Sequence, residues 1–500
     1  MTDLLSHLAL GFSTALSLQN TALAFVGCLV GTLVGVLPGV GPIATITMLL
    51  PVTFGLDPVG ALIMLAGIYY GAQYGGSTTA ILVNIPGEAT SVVTTMDGHQ
   101  MARQGRAGVA LGISAIGSFF AGCVATLAIA ALATPLTRLA LLFGPAEYFA
   151  LMAMGLAFAV VLARGSVLKA LAMVLAGVLL STVGTDLETG VERMTLGSIA
   201  LADGVDFAVL AMGLFGFAEV MRNLEHVEVR DVVQGTIGRI FPSWQDLKHS
   251  VAPVLRGTAV GGTLGILPGN GAVLGPFASY ALEKRLAKDP SRFGRGAIEG
   301  VAGPESANNA GAQTSFIPLL TLGIPPNAVM ALMVGAMTIH GIVPGPLVMT
   351  RSPALFWGMI ASMWVGNLML LVINLPLIGM WVRFLKVPYR LMFPAILVFC
   401  CIGIYSVGNA PSDVVLAAAF GLIGYALSKL GFESAPLLLG YVLGRLMEEN
   451  LRRAMVISRG DLGTFVHRPV SAAMLALGVL VLLTAILPAV SRGREEIFSE

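Results

Sequence analysis

GTLVGVLPGVG at residues 31–41 and GGTLGILPGNG at residues 261–271 are one phrase written twice. Gly31, Gly35, Leu37, Pro38, Gly39 and Gly41 recur as Gly261, Gly265, Leu267, Pro268, Gly269 and Gly271. Each copy interrupts a long apolar stretch with Pro and Gly, and such a break frees backbone N–H and C=O groups that lipid cannot satisfy. Duplicated, broken hydrophobic helices in matching halves point to the central site of a secondary transporter.

The surrounding composition agrees. Hydrophobic residues make up 56% and charged residues 11% of 500 residues, and mean hydropathy is +0.87, whereas soluble domains carry roughly 25% charged residues. Many stretches approach the ~20 apolar residues of a membrane-crossing helix, and the alternation of a membrane barrel is absent. The expected fold is an all-α polytopic protein embedded in the lipid bilayer, with about 10–12 hydrophobic segments and broken helices or re-entrant hairpins. A net charge of +1, without basic stretches interleaved with aromatics, gives no sign of nucleic acid. Cys28, Cys123, Cys400 and Cys401 sit in apolar segments without metal-site spacing and read as buried thiols. Neither a GxxxxGK[ST] loop nor HExxH nor GxSxG occurs, so no nucleotide-driven or hydrolytic chemistry and no cofactor is expected. No basic region precedes the first apolar run, so no cleavable signal peptide is expected.

No Lys or Arg precedes Arg103, although Asp3, Asp57, Glu88 and Asp97 do. Under the positive-inside rule the N-terminus and the Asp57 loop lie outside, while Arg103 and Arg106, then Arg164 and Lys169, mark inner loops. The acid-rich loop at 185–206 reads as external and the connector at 222–256 as cytoplasmic. Further basic loops at Lys284 to Arg295, at Arg383 to Arg390 and at 445–468 read as internal, so residue 190 is placed outside, residue 460 inside and both termini in the periplasm. The first glycine phrase then begins outside and the second inside. This is an inverted repeat of residues 1–222 and 251–490, joined by a connector at 223–250 and followed by a tail at 491–500. Basic flanks on both sides of 253–283 suggest that residues 267–271 form the tip of a hairpin, with 37–41 as its equivalent.

A second pair of clusters is richer in polar groups. YYGAQYGGSTT at 69–79 precedes AILVNIPG at 80–87, and GPESANNAGAQTS at 303–315 precedes a run ending in GIPP at 323–326. Gly75 pairs with Gly311, Thr78 with Thr314 and Ile81 with Ile317. After a three-residue insertion, Ile85-Pro86 pairs with Ile324-Pro325. At membrane depth such residues suit an anion held at half-helix N-termini and Na⁺ held by unwound carbonyls, so a carboxylate substrate fits. The candidate binding residues are Gly39, Gly41, Gly75, Gly76, Ser77, Thr78, Thr79 and Asn84 in the first half. In the second they are Gly269, Asn270, Gly271, Asn308, Asn309, Gln313, Thr314 and Ser315. Any single glycine here reads as close helix packing, whereas the duplicated clusters with Pro and Asn read as functional. Glu305, the one acid inside them, is either an ion-coupling carboxylate or a helix cap near the inner interface. His340 reads as a packing histidine, and Glu448, Glu449, Arg452 and Arg453 as a solvated face at helical spacing.

GVLPGVGP, GIYYGAQYGGSTTAILVNIPGE, MDGHQMARQGRAGVALGISAIGSF, GILPGNGA, PESANNAGAQTSFIPLLTLGIPPN and LMEENLRRAMVISRGDLGTFVHRPVSA together resemble the large membrane subunit of the tripartite tricarboxylate transporter family. The resemblance runs from about Ala22 to the last hydrophobic segment. It implies a bacterial inner-membrane carrier that moves citrate-like or other carboxylates by Na⁺ or H⁺ symport, with a small membrane subunit and a periplasmic solute-binding protein as partners. The second copy has Asn270-Gly271-Ala272 where the first has Val40-Gly41-Pro42, so the two tips need not share one role. The competing reading is a channel or membrane enzyme on a similar inverted repeat. A channel would show no saturation, and an enzyme would need an in-membrane nucleophile or base pair that no motif supplies.

Overall fold

The computed structural model describes residues 2–37, 41–163, 165–186, 188–198, 201–225, 238–269, 271–385 and 389–486. The first half runs through α1 (Thr2–Ala15), α2 (Leu18–Val36), α3 (Pro42–Thr53), α4 (Pro58–Val83), α5 (Val92–Met101), α6 (Ala107–Ala140), α7 (Pro145–Leu162), α8 (Val167–Ser181), α9 (Phe207–Ala211) and α10 (Ala218–Glu225). The second runs through α11 (Trp244–Leu264), α12 (Gly271–Leu286), α13 (Glu299–Thr314), α14 (Phe316–Leu322), α15 (Ala328–Ile339), α16 (Leu347–Arg351), α17 (Pro353–Asn374), α18 (Ile378–Phe384), α19 (Tyr389–Gly408) and α20 (Pro411–Lys429). It closes with α21 (Ser434–Ile457), α22 (Thr464–His467) and α23 (Pro469–Ile486). Among the described residues, six helical runs are long and apolar enough to cross a membrane and six shorter apolar helices accompany them. The chain is an all-α, multi-pass membrane protein. Among the described residues, one small sheet pairs Gly184–Thr185 with Glu192–Arg193, in the loop after α8. Helix α11 begins at Trp244, inside the stretch expected to be connector, and the tail at 491–500 lies outside the described residues.

Glycine sets how closely two helix pairs approach. On α2, Gly27, Gly31 and Gly35 recur every fourth residue and so share one face. A Cβ at these positions would sit 2.2, 2.3 and 2.3 Å from the carbonyl oxygens of Met64, Ile68 and Ala72 on α4. Helix α11 repeats the device: Gly257, Gly261 and Gly265 would bring a Cβ to 2.1, 2.0 and 2.3 Å from the carbonyl oxygens of Gly303, Ala307 and Gly311 on α13. No side chain fits, and the helices meet backbone to backbone. One hydroxyl ties each pair. Thr79 Oγ1 donates to Val36 O at 2.9 Å, and Ser315 Oγ reaches Gly265 O at 3.3 Å.

The breaks fall later than the sequence suggested. Residues 69–79 stay helical throughout α4, and the interruption comes at Asn84, whose φ of 60° ends the helix just before Ile85-Pro86. Gly323, at φ 74°, ends α14 just before Ile324-Pro325. A left-handed residue with proline two positions on stops a helix twice over, because the turn reverses and the proline has no N–H to continue the ladder. Asn327 then opens α15 by accepting the Met330 N–H at 3.0 Å. Glu88 opens the turn Ala89–Ser91 that leads into α5.

Helices α11 and α12 fold back on each other as an antiparallel hairpin. A Cβ on Gly275 would lie 3.2 Å from Gly261 Cα, and Arg256 grips Glu283 with two hydrogen bonds of 2.7 and 2.5 Å. Near its tip Gly269, at φ 89°, donates its N–H to Pro326 O at 2.8 Å. In the first half α3 turns away from α2 and packs on α4, α15 and α19. The two halves exchange contacts reciprocally. Helix α6 packs on α11 and α13 while α17 packs on α2 and α4, α12 meets α5 while α3 meets α15, and α8 meets α21 while α20 meets the Met212–Phe217 stretch.

One expectation about sidedness is corrected. Arg452 Nη2 lies 2.8 Å from Asp186 Oδ2, and Arg193 Nη1 lies 2.7 Å from Glu448 Oε1. The loop after α8 and the basic end of α21 therefore share one end of the bundle, so residues 190 and 460 do not lie on opposite sides. The charge pattern did not show this because four of the five arginines in 445–468 are paired with carboxylates: Glu448, Glu449, Asp186 and Glu188 take up Arg445, Arg452 and Arg453, and Glu147 takes up Arg468. Glu448 and Arg452 tie the loop down, whereas Glu449 and Arg453 pair along α21 as the solvated face expected from their spacing. At the other end Arg106 pairs with Asp246 at 2.7 Å, and Gln104 Nε2 donates to Arg295 O at 2.8 Å.

Candidate functional site

Where α4, α5, α6 and α13 converge, a carboxylate is buried without a counter-charge. Glu305 is 0% exposed and sits in the middle of α13. Ser77 Oγ of α4 donates to its Oε2 at 2.5 Å, Ser114 Oγ of α6 donates to the same oxygen at 3.0 Å, and Thr94 of α5 donates to Oε1. Three hydroxyls from three helices of the first half thus hold one acid from the second. One turn on, Asn309 Nδ2 donates to Ser118 Oγ at 2.7 Å. Among the described residues no Lys, Arg or His lies within ion-pairing distance of Glu305. The helix-cap reading is thereby overturned: Glu305 is six residues past the start of α13 at Glu299, with its carboxylate directed at other helices.

The expected residues fall into several groups. Ser77 and Asn309 belong to the Glu305 cluster, and Thr78 lines a cavity of about 10 Å³ beside it, together with Tyr74, Ser114 and Asn374. That space holds about one water. Asn308 and Gln313 are each 1% exposed, and both amide atoms of Asn308 and the Oε1 of Gln313 have no hydrogen-bond partner. A buried amide without partners is costly to keep, so it marks a place where a partner arrives. A second, smaller cluster forms around Ser315, which accepts from Asn327 Nδ2 at 3.2 Å.

The remaining positions serve the backbone. Gly75 packs on Thr32 and Val36 of α2, and Thr79 and Thr314 turn their hydroxyls to backbone carbonyls. Asn84 is the exposed left-handed end of α4. Gly269 and Gly271 shape the α11–α12 tip, where a Cβ on Gly271 would lie 2.0 Å from Leu264 O. Gly41 stands in open space at the start of α3. Gly76 abuts the side chain of Glu88, 3.1 Å from Cγ to its notional Cβ. Gly39 and Asn270 lie outside the described residues.

Sequence reasoning missed Thr94, Ser114, Ser118 and Glu88. Ser114 and Ser118 carried a legible signal, being four apart in an apolar helix and so on one face. Thr94 carried none, since nothing local says which of Thr94 and Thr95 turns inward.

The tripartite tricarboxylate transporter TctA family model matches residues 22–439. The chain is 58% identical, over all 500 residues and the whole of the relative, to an Agrobacterium vitis protein described as an uncharacterized 52.8 kDa protein in the TAR-I ttuC' 3' region. It is 60% identical over 240 residues, 48% of this chain and 99% of the relative, to an uncharacterized protein in the TAR-II ttuC' 3' region of the same organism. No solved structure matches. The family match spans both glycine phrases and every helix that reaches the Glu305 cluster, and the chain therefore belongs to the tripartite tricarboxylate transporter TctA family.

Proposed function

We propose that this chain is the large transmembrane subunit of a three-part uptake system. It moves tricarboxylates or related carboxylates across a bacterial inner membrane on a Na⁺ or H⁺ gradient. A small membrane subunit and a periplasmic solute-binding protein are its partners. The observation that carries this reading is the Glu305 cluster: a buried acid, hydroxyls and unpartnered amides gathered beside paired helix breaks at the contact of two similar halves. The reciprocal contacts support an inverted repeat in which α9–α10 correspond to α21, with α23 an addition packed on α7. On that correspondence the basic end carrying Arg106, Lys248 and Arg295 is cytoplasmic.

Charge arithmetic favours ion coupling. The two helix N-termini at the breaks, those of α5 and α15, offer about half a charge each and so offset roughly one negative charge. A di- or trianion in this cluster needs further positive charge, and a co-transported cation supplies it. The enzyme or channel reading has less support, because the matching family is one of transporters and the cavity of about 10 Å³ beside the cluster has room for about one water. A cavity this small also means that helices must part to admit a carboxylate.

The test is uptake of a labelled carboxylate panel into membrane vesicles containing the chain, with its binding protein supplied and Na⁺ and pH gradients imposed separately. Saturable accumulation against a gradient is expected. Non-saturating flux, or no dependence on either ion, would refute the carrier.

A further inference from the structure

We propose that Glu88 is the group that takes up and releases a proton at this site, with Asn308 and Gln73 as its switching partners and Glu305 as the acid that stays ionised. The proposal deepens the carrier reading above and rests on it for its role in coupling, though Glu88 can be examined without transport.

Placement comes first. Glu88 follows the Asn84-Ile85-Pro86-Gly87 break and leans on Gly76, the neighbour of the Ser77 that holds Glu305. Glu88 is partly exposed and Glu305 fully buried, so of the two acids Glu88 is the one that water reaches. Among the described residues no Lys, Arg or His lies within ion-pairing distance of Glu88. The other charged groups on the elements around it are engaged elsewhere. Asp97 of α5 accepts the N–H groups of Gly296 and Ala297 and the Tyr280 hydroxyl. His99 Nδ1 meets Ile81 O, and Glu283 of α12 is held by Arg256. On α4, Tyr69 is the titratable group that faces Glu88, while Tyr74, whose hydroxyl has no partner, lies towards Glu305.

Hydrogen counting then separates the acids. Ser114 and Thr94 direct their hydroxyl hydrogens to Glu305, and Ser77 divides its one hydrogen between Glu305 and Gln73 O at 3.0 Å, so at least two hydroxyls donate to this acid, an arrangement that favours the charged form. Glu88 has the Thr90 hydroxyl at 2.6 Å from Oε1, and that same hydroxyl lies 3.0 Å from Gln73 Oε1. Thr90 owns one hydrogen and faces two acceptors. A proton on Glu88 resolves the shortage: Glu88 donates to Thr90 Oγ1 and Thr90 donates to Gln73. When the proton leaves, Thr90 turns its hydrogen to the carboxylate, and the Gln73 amide rotates to offer N–H to Thr90. Asn308 sits beside Glu88 with carbonyl and amino ends both unpartnered, so it can accept from the protonated acid or donate to the ionised one. Two carboxylates this close in a site without cations hold fewer charges than two, and the one with more hydrogen-bond donors directed at it, Glu305, keeps its charge. The reaction is a proton transfer from water to Glu88 and back, and no other bond changes.

Infrared difference spectroscopy on the purified full chain in nanodiscs, across pH and Na⁺, reads this directly. A protonated-carboxyl band that titrates in wild type is expected to disappear in Glu88→Gln and to persist in Glu305→Gln with its midpoint moved to lower pH. A wild-type spectrum with no band that Glu88→Gln removes would overturn the assignment, as would a band displaced by Na⁺ and indifferent to pH. In vesicles the response of carboxylate uptake to an imposed pH gradient is expected to be lost in Glu88→Gln and recovered in part in Glu88→Asp. An undiminished response in Glu88→Gln overturns the coupling role. If wild type moves no carboxylate while the band behaves as described, the carrier reading fails and the proton assignment stands.

Discussion

Replacing Gly261 by Ala tests whether backbone-to-backbone packing holds the site together. The added Cβ would lie 2.0 Å from Ala307 O and 2.4 Å from Ala307 Cα, where ordinary contact begins at 3.4 Å. The obstacle is backbone, so α11 and α13 must part by more than an ångström, and the contacts of Gly257 and Gly265 above and below loosen with them. A gap of 0.5–1 Å already forfeits about a quarter to a half of the dispersion well at each atom pair. Overpacking of this kind costs about 1–3 kcal/mol, after the gain of about 1 kcal/mol in helix propensity that alanine brings is set against a gross cost at the upper end of the overpacking range. Gly41→Ala is the matched control: nothing lies within 4 Å of its Cβ and φ is −75°, so it should be neutral or stabilise by about 0.4–1 kcal/mol. Thermal unfolding in detergent, followed by a thiol-reactive dye that reports exposure of the buried Cys28 and Cys400, compares the two. Equal midpoints for Gly261→Ala and Gly41→Ala would refute the idea that these glycines set the helix spacing.

Thr78→Val and Asn309→Ala each remove a hydrogen-bonding group from a dehydrated site and should weaken apparent substrate affinity by about 1–3 kcal/mol, roughly ten- to hundredfold; unchanged saturation curves in well-expressed variants would remove both residues from the site. Single cysteines at Thr189 and Leu462 should react with an impermeant thiol reagent from the same side of the membrane, and one at Lys248 from the other; opposite sidedness of the first two would contradict the Arg452–Asp186 and Arg193–Glu448 pairs. The Arg452 guanidinium holds Asp186 down at about 2, below its ordinary value of 3.8. A carboxylate with a depressed pKa contributes stability above its unfolded value and loses it as pH falls through the folded one. Protease protection of the 188–198 loop should therefore persist at neutral and mildly acid pH, weaken from about pH 4 towards pH 2, and be lost at all pH in Arg452→Ala. Substrate binding titrated at several Na⁺ concentrations and pH values should show positive, reciprocal coupling between cation and carboxylate, and an affinity indifferent to both would mean that protein groups neutralise the anion.

Some of this protein was settled by the order of residues alone. Composition made it a helical membrane protein, since lipid leaves a chain this apolar few other ways to satisfy its backbone. The recurrence of glycines at 27, 31 and 35 and again at 257, 261 and 265 fixed where helices could touch backbone to backbone, because local spacing defines one helix face. Ile-Pro after Asn84 and after Gly323 fixed where helices had to stop. Tertiary structure decided the rest. The polar stretch at 69–79 looked like an unwound segment, yet it is continuous helix whose small residues receive α2, a distinction that depends on the neighbour and not on the stretch. That the arginines of 445–468 and the acid-rich loop after α8 share one end escaped a charge rule that counts one sign, because partners such as Asp186 and Glu147 lie hundreds of residues away. Glu305 could be read from sequence as cap or as buried acid with equal justice. Only the arrival of Ser77, Thr94 and Ser114 from three other helices makes it the centre of the site, and such long-range convergence leaves no mark in any local window.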